Sequence, residues 1–200
     1  NGTLDNGNDG LIEKGFRYYA VTIASGVVVD VYVLHMDAGS SGGDITAREK
    51  QLTQLATYIK GTNNKRPIII VGDTNCRYTR EQLKTGFIDV INADSRFTIK
   101  DAWIEKIWKG TYPTYGGDAM MWYNAPYNNN TGEVVDKIFY INNTESSLTI
   151  EANSYLHNTS FGVSDHYPVI VNFTITDPTA KALTAAEKEI LATTENEIDV

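Results

Sequence analysis

The chain has 200 residues, of which 42% are hydrophobic, and it carries a formal net charge of −8. This length suits one domain, and the apolar content is sufficient for a sizeable core. No apolar run approaches the roughly 18 residues that a membrane span needs, so no transmembrane segment is predicted. The sequence has no basic block that would follow a phosphate backbone, and its charge therefore disfavours tight nucleic-acid binding without excluding it.

A β-hairpin followed by a strand–helix–strand unit is predicted in the first part of the chain. The hairpin joins an alternating strand at 16–24 to a β-branched strand at 27–34. A helix is predicted from an N-cap at Asp44 to a closing glycine at Gly61, because the apolar residues between them recur at helical spacing. The four apolar residues before Gly72 predict a buried strand that ends at this glycine in a sharp turn.

The second part of the chain is predicted to add three strands and two short helices. The strands are expected at 134–141, 148–150 and 169–175, and the helices at 79–85 and 101–108. Alternation of apolar and polar residues is clearest in the last strand, which supports its assignment.

Two further stretches stand outside this pattern. Residues 110–132 are irregular and aromatic, which is typical either of a loop that stacks on a substrate or partner, or of rings that pack over the core. Residues 177–200 carry six acidic residues and two lysines and so contribute −4 to the net charge, with a helix predicted over 180–193. The domain is therefore expected to span 16–176, after a loop at 1–15.

Polar side chains stand at the ends of several predicted strands. In chain order they are His35, Asp73 with Asn75, Asp136, and Asp165 with His166. Each of them alone has an ordinary explanation, as a turn former or a surface residue. Their joint occurrence beside apolar strands predicts one polar site assembled from strand ends. The remaining histidine, His157, is expected in a polar loop without a role.

Four ordered motifs in this sequence resemble those of the endonuclease/exonuclease/phosphatase superfamily. They are Leu-His-Met-Asp at 34–37, Gly-Asp-Thr-Asn at 72–75, Val-Asp-Lys-Ile at 135–138 and Ser-Asp-His-Tyr-Pro-Val at 164–169. The combination of G-D-x-N with a much later S-D-H-x-P is specific. Arg48 and Gln51, on the predicted helix between the first two motifs, fit the family habit of an R-x-x-Q stretch.

The resemblance implies an α/β fold, namely the C-terminal part of a two-sheet β-sandwich flanked by helices, as in DNase I-like proteins. It covers roughly 15–175. In the family, the N-terminal half carries an Asn and a metal-binding Glu, and nothing before Phe16 matches them, since Glu13 lacks a preceding strand. The resemblance therefore implies a fragment, a second chain that supplies the missing half, or a protein without activity.

The resemblance also implies hydrolysis of phosphate esters with Mg²⁺ or Mn²⁺, which carboxylate oxygens bind well. Asp165 would bind the metal together with the missing Glu. His166 would act as the base or orient the phosphate, and Asp136 would accept its other ring N–H and so fix the tautomer.

The same resemblance gives roles to the first two motifs. Asp73 would orient the water or the leaving group, Asn75 would hold a phosphate oxygen through its NH₂ group, and His35 would donate to a non-bridging oxygen. Whether Asp73 or His166 is the base stays open. Among substrates, lipid headgroups or other small phosphodiesters are favoured by the acidic body and the aromatic stretch. The alternatives are a DNA or RNA nuclease and a non-catalytic binding module. Export from the cell is expected from the Asn-, Thr- and Tyr-rich composition and the missing initiator Met.

Overall fold

The computed structural model describes residues 14–62, 64–78, 81–111, 134–158, 164 and 166–178. These residues form two sheets with helices between the strands. The elements in chain order are β1 Gly15–Ala24, β2 Val27–His35, α1 Gly42–Thr62, β3 Ile68–Asp73, α2 Glu81–Leu83, a π-helical segment Lys84–Ile88, α3 Asp89–Asn92, β4 Phe97–Asp101, α4 Ala102–Lys106, β5 Asp136–Asn143, β6 Thr149–His157 and β7 Val169–Thr176.

The larger sheet has five strands in the order β1-β2-β3-β5-β4. Only β2 and β3 are parallel, and α1 connects them, so the predicted strand–helix–strand unit is confirmed. The other neighbours in this sheet are antiparallel. The carboxyl ends of β2 and β3 therefore lie beside the amino end of β5, which places three predicted site residues at one edge.

The two faces of the larger sheet are covered differently. One face packs under α1, with Tyr32, Leu34, Leu55 and Ile59 in the same buried core. The opposite face packs against the smaller antiparallel sheet, β6–β7, where the rings of Tyr140 and Phe173 meet edge to face with centroids 5.6 Å apart. Packing of one sheet on another produces the two-layer sandwich that the resemblance implied.

Helix α1 begins one turn earlier than predicted. Ser41 and Asp44 form a reciprocal cap, since Ser41 N donates to Asp44 Oδ2 at 2.7 Å and Asp44 N donates to Ser41 Oγ at 3.3 Å. Asp44 is therefore inside the first turn and is not the N-cap residue. Gly61 does not end the helix, which continues to Thr62.

Several predictions for the second part of the chain need correction. Strand β4 lies where no strand was predicted, and the short helix expected at 79–85 is described only as Glu81–Leu83, followed by the π-helical segment. Strand β6 is longer than the predicted 148–150, so His157 ends a strand and is not in a loop. Most of the aromatic stretch and the helix predicted at 180–193 lie outside the described residues.

Among the described helices, none has the length and apolar character needed to span a membrane.

Gly72 belongs to β3 and does not form the predicted turn. Its φ is 136°, and a Cβ atom built on it would lie 2.0 Å from the carbonyl oxygen of Leu34 on β2. Any side chain at this position would push β2 and β3 apart, in addition to the strain of a positive φ. The absence of a side chain at Gly72 thus allows the two strands to approach closely just before their polar ends.

We expect Gly72→Ala to lower the free energy of unfolding by at least about 2 kcal/mol, because backbone strain and a backbone clash act together. Urea unfolding followed by circular dichroism measures this. Gly26→Ala is the matched control, since Gly26 also has a positive φ, of 74°, but has no atom within 4 Å of a built Cβ. Equal losses for the two variants would contradict the close-approach explanation.

Candidate active site

The register of three neighbouring strands brings the polar strand ends together. His35 on β2 is opposite Asp73 on β3, and Asp73 is opposite Asp136 on β5. His35 Nε2 lies 3.7 Å from Asp73 Oδ2. His166, from the segment before β7, completes the group, because ligand atoms of Asp73, Asp136 and His166 all lie within 4.8 Å of one another. The structure therefore unites residues from four distant motifs.

His166 and Asp136 form a close pair. His166 Nδ1 lies 2.5 Å from Asp136 Oδ2, and both side chains are partly buried. Since a carboxylate can only accept, the ring proton is on Nδ1 and the lone pair of the neutral ring is on Nε2. The backbone N–H of His166 donates to Ser164 Oγ at 3.1 Å, which fixes the segment that carries the ring. This arrangement is suited to taking a proton at Nε2.

Asp73 and Asn75 do not share the extended geometry that the sequence predicted. Asn75 has a left-handed backbone, with φ of 48°, and its N–H donates to Asp73 Oδ1 at 2.7 Å. The Asn75 side chain donates from Nδ2 to the Met36 carbonyl at 2.9 Å. One of its two N–H groups is thus used to join the end of β3 to the segment after β2, and the other remains for the phosphate role that the resemblance implied.

Arg48 and Gln51 on α1 hold the segment that follows His35. Arg48 Nη1 donates to the carbonyls of Asp37 and Gly39 at 2.9 and 2.8 Å, and Gln51 Oε1 accepts from Asp37 N at 2.8 Å. Both side chains are buried. The R-x-x-Q stretch therefore has a structural task, which is to fix the backbone beside the polar cluster.

Lys14 is a site residue that the sequence analysis missed, because it fell in the segment expected to be a loop. It is buried, and its Nζ lies 2.7 Å from His35 Nε2. The signal that could have revealed it is the hairpin register, which pairs Gly15 with His35 and so brings the residue before β1 to the end of β2. The turn at 25–26 alone does not fix that register, because a bulge between Thr22 and Ala24 shifts it by one residue.

A buried ionic group lies below the cluster. Lys137 Nζ donates to the Val134 carbonyl and sits 3.6 Å from the centre of the Tyr78 ring. The Tyr78 hydroxyl donates to Asp101 Oδ2 at 2.5 Å, and Asp101 also caps α4 by accepting from two backbone N–H groups at 2.9 and 3.2 Å. Burial lowers the pKa of Lys137 to about 8, although the Asp101 charge opposes this. These contacts connect Lys137 on β5, next to Asp136, with the start of α4.

The donor set fits a divalent cation only in part. Asp73, Asp136 and His166 offer two carboxylate oxygens and one imidazole nitrogen at mutual distances that one ion can span. A set that includes nitrogen suits Mn²⁺ better than Mg²⁺, which prefers oxygen ligands and water. Asp165, the metal ligand that the resemblance implied, lies outside the described residues.

Burial raises the pKa of the Asp73 carboxyl above its ordinary value of 3.8. The N–H of Asn75 opposes this shift, while the Asp136 charge adds to it and the two histidines oppose it. A raised pKa means that the folded protein binds this proton more readily than the unfolded chain does. Asp73 therefore makes the protein less stable as pH rises above 3.8, and its charged form costs stability at neutral pH.

The sandwich of two sheets and the polar cluster at the ends of β2, β3 and β5 define a DNase I-like α/β fold. The crystal structure of SmcL has a TM-score of 0.53 to this chain at 19% identity, covering 86% of this chain and 62% of that one. TDP2 of D. rerio in complex with a single-strand DNA product also scores 0.53 at 19% identity, with 78% and 60% covered. At these identities the likeness establishes the fold alone.

Residues 3–172 match the family described as Endonuclease/Exonuclease/phosphatase family 2, and the chain belongs to this family. It is also 31% identical over 167 residues to sphingomyelinases of Mycobacterium tuberculosis and Mycobacterium bovis. That alignment covers 80% of this chain and 30% of each relative, so the chain spans about a third of the length of the curated relatives it matches.

We expect Asp73→Asn to raise the melting temperature at pH 7, because the amide keeps an oxygen that can accept from Asn75 N but removes a buried charge. The gain should shrink as pH falls through the raised pKa of Asp73, because the wild-type carboxyl then takes up its proton in the folded protein. Thermal unfolding in EDTA between pH 4 and 8 measures this. Asp94→Asn is the control, and it should lower the melting temperature at pH 7. Hydrogen bonds from Arg96 lower the Asp94 pKa to about 2, so the charged form of Asp94 stabilises the fold. A lower melting temperature for Asp73→Asn at pH 7 would contradict the argument.

Proposed function

We propose that this chain carries part of the active site of a phosphodiesterase that depends on a divalent metal and acts on lipid headgroups or other small phosphodiesters. The observation that supports this best is the His166–Asp136 pair, with 2.5 Å between Nδ1 and Oδ2, next to a partly buried Asp73 and an exposed His35. A fixed imidazole with its lone pair on Nε2 provides the proton acceptor that attack of water on an ester requires.

In the proposed mechanism, His166 Nε2 takes a proton from the attacking water. Asp136 holds the ring in the required tautomer and stabilises the imidazolium that forms. Asp73 accepts a hydrogen bond from the attacking water and orients it, and the leaving oxygen takes its proton from solvent. The N–H group of Asn75 that is not bonded to Met36 orients a phosphoryl oxygen. This assignment makes His166 the base and gives Asp73 an orienting role.

The proposed metal is Mg²⁺ or Mn²⁺, held by Asp165 with help from the carboxylates of the cluster. When bound, the cation would neutralise charge on the phosphoryl oxygens and lower the barrier to attack. Nothing before Phe16 matches the metal-binding Glu of the family, so the proposal includes a second chain, or a further segment of a longer protein, that supplies it.

An exposed apolar surface on β1 and β2 supports the proposal that a further segment or chain packs here. Tyr19, Val21 and Ile23 on β1 and Val33 on β2 are 47, 38, 52 and 44% exposed. The register places Tyr19 in the same row as Tyr140, so Tyr19, Val21 and Val33 share the face that β6–β7 covers further along, and Ile23 lies beside them at the bulge of β1. If this surface awaits a partner, the chain alone should bind the dye ANS. Ile23→Lys should reduce that binding, and unchanged dye fluorescence would count against an open surface.

The preference for lipid headgroups is supported by the likeness to mycobacterial sphingomyelinases and by the net charge of −8. A nuclease is the second candidate, because a structure of the same fold, TDP2, holds a DNA product. A non-catalytic binding module is the third, because the chain spans only 30% of its curated relatives. Export from the cell also belongs to the proposal, and fractionation of the source cells against cytosolic markers tests it.

A panel of substrates should separate these candidates. We expect sphingomyelin vesicles and bis-p-nitrophenyl phosphate to be hydrolysed with Mg²⁺ or Mn²⁺, p-nitrophenyl phosphate and single-stranded DNA to be poor substrates, and EDTA to abolish turnover. Hydrolysis that ignores EDTA would exclude the metal. Cleavage of DNA alone would favour the nuclease, and no hydrolysis of any substrate would favour the binding module.

We expect His166→Asn and Asp136→Asn to lower turnover by on the order of 10²–10⁴, since one removes the base and the other its orientation. Initial rates on the best substrate of the panel measure this. Asp94→Asn is the control, because Asp94 lies just before β4, whose first residue pairs with Asn143 at the far end of β5 from Asp136, and this variant should keep wild-type turnover. Wild-type turnover in His166→Asn would remove that residue from the mechanism.

A further inference from the structure

Thr74 fills the position that the pattern G-D-x-N leaves open, and it is fully buried, at 0% exposure. It directly follows Asp73, the last residue of β3. Burial of a hydroxyl group costs free energy unless the group forms hydrogen bonds. The partners of Thr74 therefore indicate what its hydroxyl contributes to the structure.

The hydroxyl and the backbone N–H of Thr74 bind the same carbonyl. Thr74 Oγ1 donates to Val135 O at 2.8 Å, and Thr74 N donates to it at 2.9 Å. The Cys76 carbonyl is farther from Oγ1, at 3.3 Å, so the single hydroxyl proton is directed to Val135. Oγ1 in turn accepts from Cys76 N at 3.2 Å. Thr74 thus joins the turn after β3 to the residue that precedes β5.

The Val135 carbonyl belongs to the peptide group that leads into Asp136. A peptide group is planar, so the direction of this carbonyl, together with the pairing of β5, sets the direction in which the Asp136 side chain leaves the backbone. The carbonyl before it, of Val134, accepts from Lys137 Nζ. Two successive carbonyls that precede Asp136 are therefore held by side-chain donors.

Asp136 has to be placed accurately, because its partner comes from a different part of the chain. Asp136 begins β5, whereas His166 lies in the segment before β7. The distance from Asp136 Oδ2 to His166 Nδ1 is 2.5 Å. Hydrogen bonds weaken steeply when their angle departs from linear, so a modest turn of the peptide group before Asp136 would weaken this one. The pair therefore depends on a fixed start of β5, which Thr74 holds from β3.

We propose that Thr74 is a positioning residue, which acts through the Val135 carbonyl to hold the Asp136 carboxylate against His166 Nδ1. The consequence for turnover rests on the proposed phosphodiesterase function, whereas the effect on the His166 ring does not. By keeping Asp136 in place, Thr74 keeps the His166 ring in the Nδ1–H tautomer, with the lone pair on Nε2.

The His166 tautomer is the first test, measured in EDTA by long-range ¹H–¹⁵N correlation spectra at about pH 8, where an ordinary imidazole is neutral. The chain has three histidines, so the signals can be assigned with His35→Asn and His157→Asn. We expect the Nδ1–H form in the wild type and in Thr74→Ser, which keeps the hydroxyl. Thr74→Val and Thr74→Ala should shift the ring towards the Nε2–H form. An Nε2–H ring in the wild type, or an unchanged ring in the folded Val and Ala variants, would overturn the proposal.

Thr57→Val is the matched control, because it removes the same kind of bond elsewhere. Thr57 Oγ1 donates to the Thr53 carbonyl at 2.8 Å on the exposed side of α1, and its loss should leave His166 unchanged. A purely structural Thr74 would lower the melting temperature of Thr74→Val without altering the ring. Circular dichroism checks that each variant is folded. If neither the Val nor the Ala variant folds, Thr74→Cys places a weak donor at the same position and should give a mixture of tautomers; a pure Nδ1–H ring there would contradict the proposal.

Kinetics separate this inference from the proposed function. For a hydrolysed phosphodiester, Thr74→Val should lower kcat by about 10–100-fold with KM little changed, because the lost contact supports a group that acts in the transition state. Thr74→Ser should restore kcat. Wild-type kcat in Thr74→Val would overturn the inference while leaving the phosphodiesterase in place. If no ester is hydrolysed but the His166 tautomer depends on Thr74, the proposed function fails and the positioning role stands.

Discussion

The pairing of β2, β3 and β5 in one fixed register is the constraint on which the polar cluster depends. It sets His35 opposite Asp73 and Asp73 opposite Asp136, so three charged or titratable groups share one row at the edge of the sheet. A slip of one residue in either pairing would turn one of these side chains to the other face and disperse the row. The apolar residues that precede each of them anchor the register, because they must face the core.

The backbone around this row is held by side chains that lie outside the row. Arg48 and Gln51 fix the segment after His35, and Asn75 joins the end of β3 to the same segment. Behind Asp136, the buried Lys137 connects β5 to the aromatic layer that includes Tyr78. Rigid support of this kind is what a site needs if it is to hold several groups within a few tenths of an ångström.

The sequence predicted the elements whose signals are local and missed those that depend on distant contacts. The hairpin, α1 and β3 follow from alternation, helical spacing and a run of isoleucines, and the strand-end positions of His35, Asp73 and Asp136 follow from them. The left-handed backbone of Asn75 depends on its bond to Asp73, and the burial of Lys14 depends on the pairing of β1 with β2. Strand β4 was missed because its five residues pair only with β5, from which more than thirty residues separate it along the chain.

The close contact at Gly72 also bears on how such a protein can diverge. Gly72 precedes Asp73, and Leu34, which lies opposite Gly72, precedes His35. Because a side chain at Gly72 would meet the Leu34 carbonyl, substitutions there cannot adjust the backbone distance between His35 and Asp73. Variation would instead have to arise at the periphery, at residues such as Arg17 and Tyr19 on β1, which do not set the distance between those two groups. The polar row would then be inherited nearly unaltered, while its surroundings diverge.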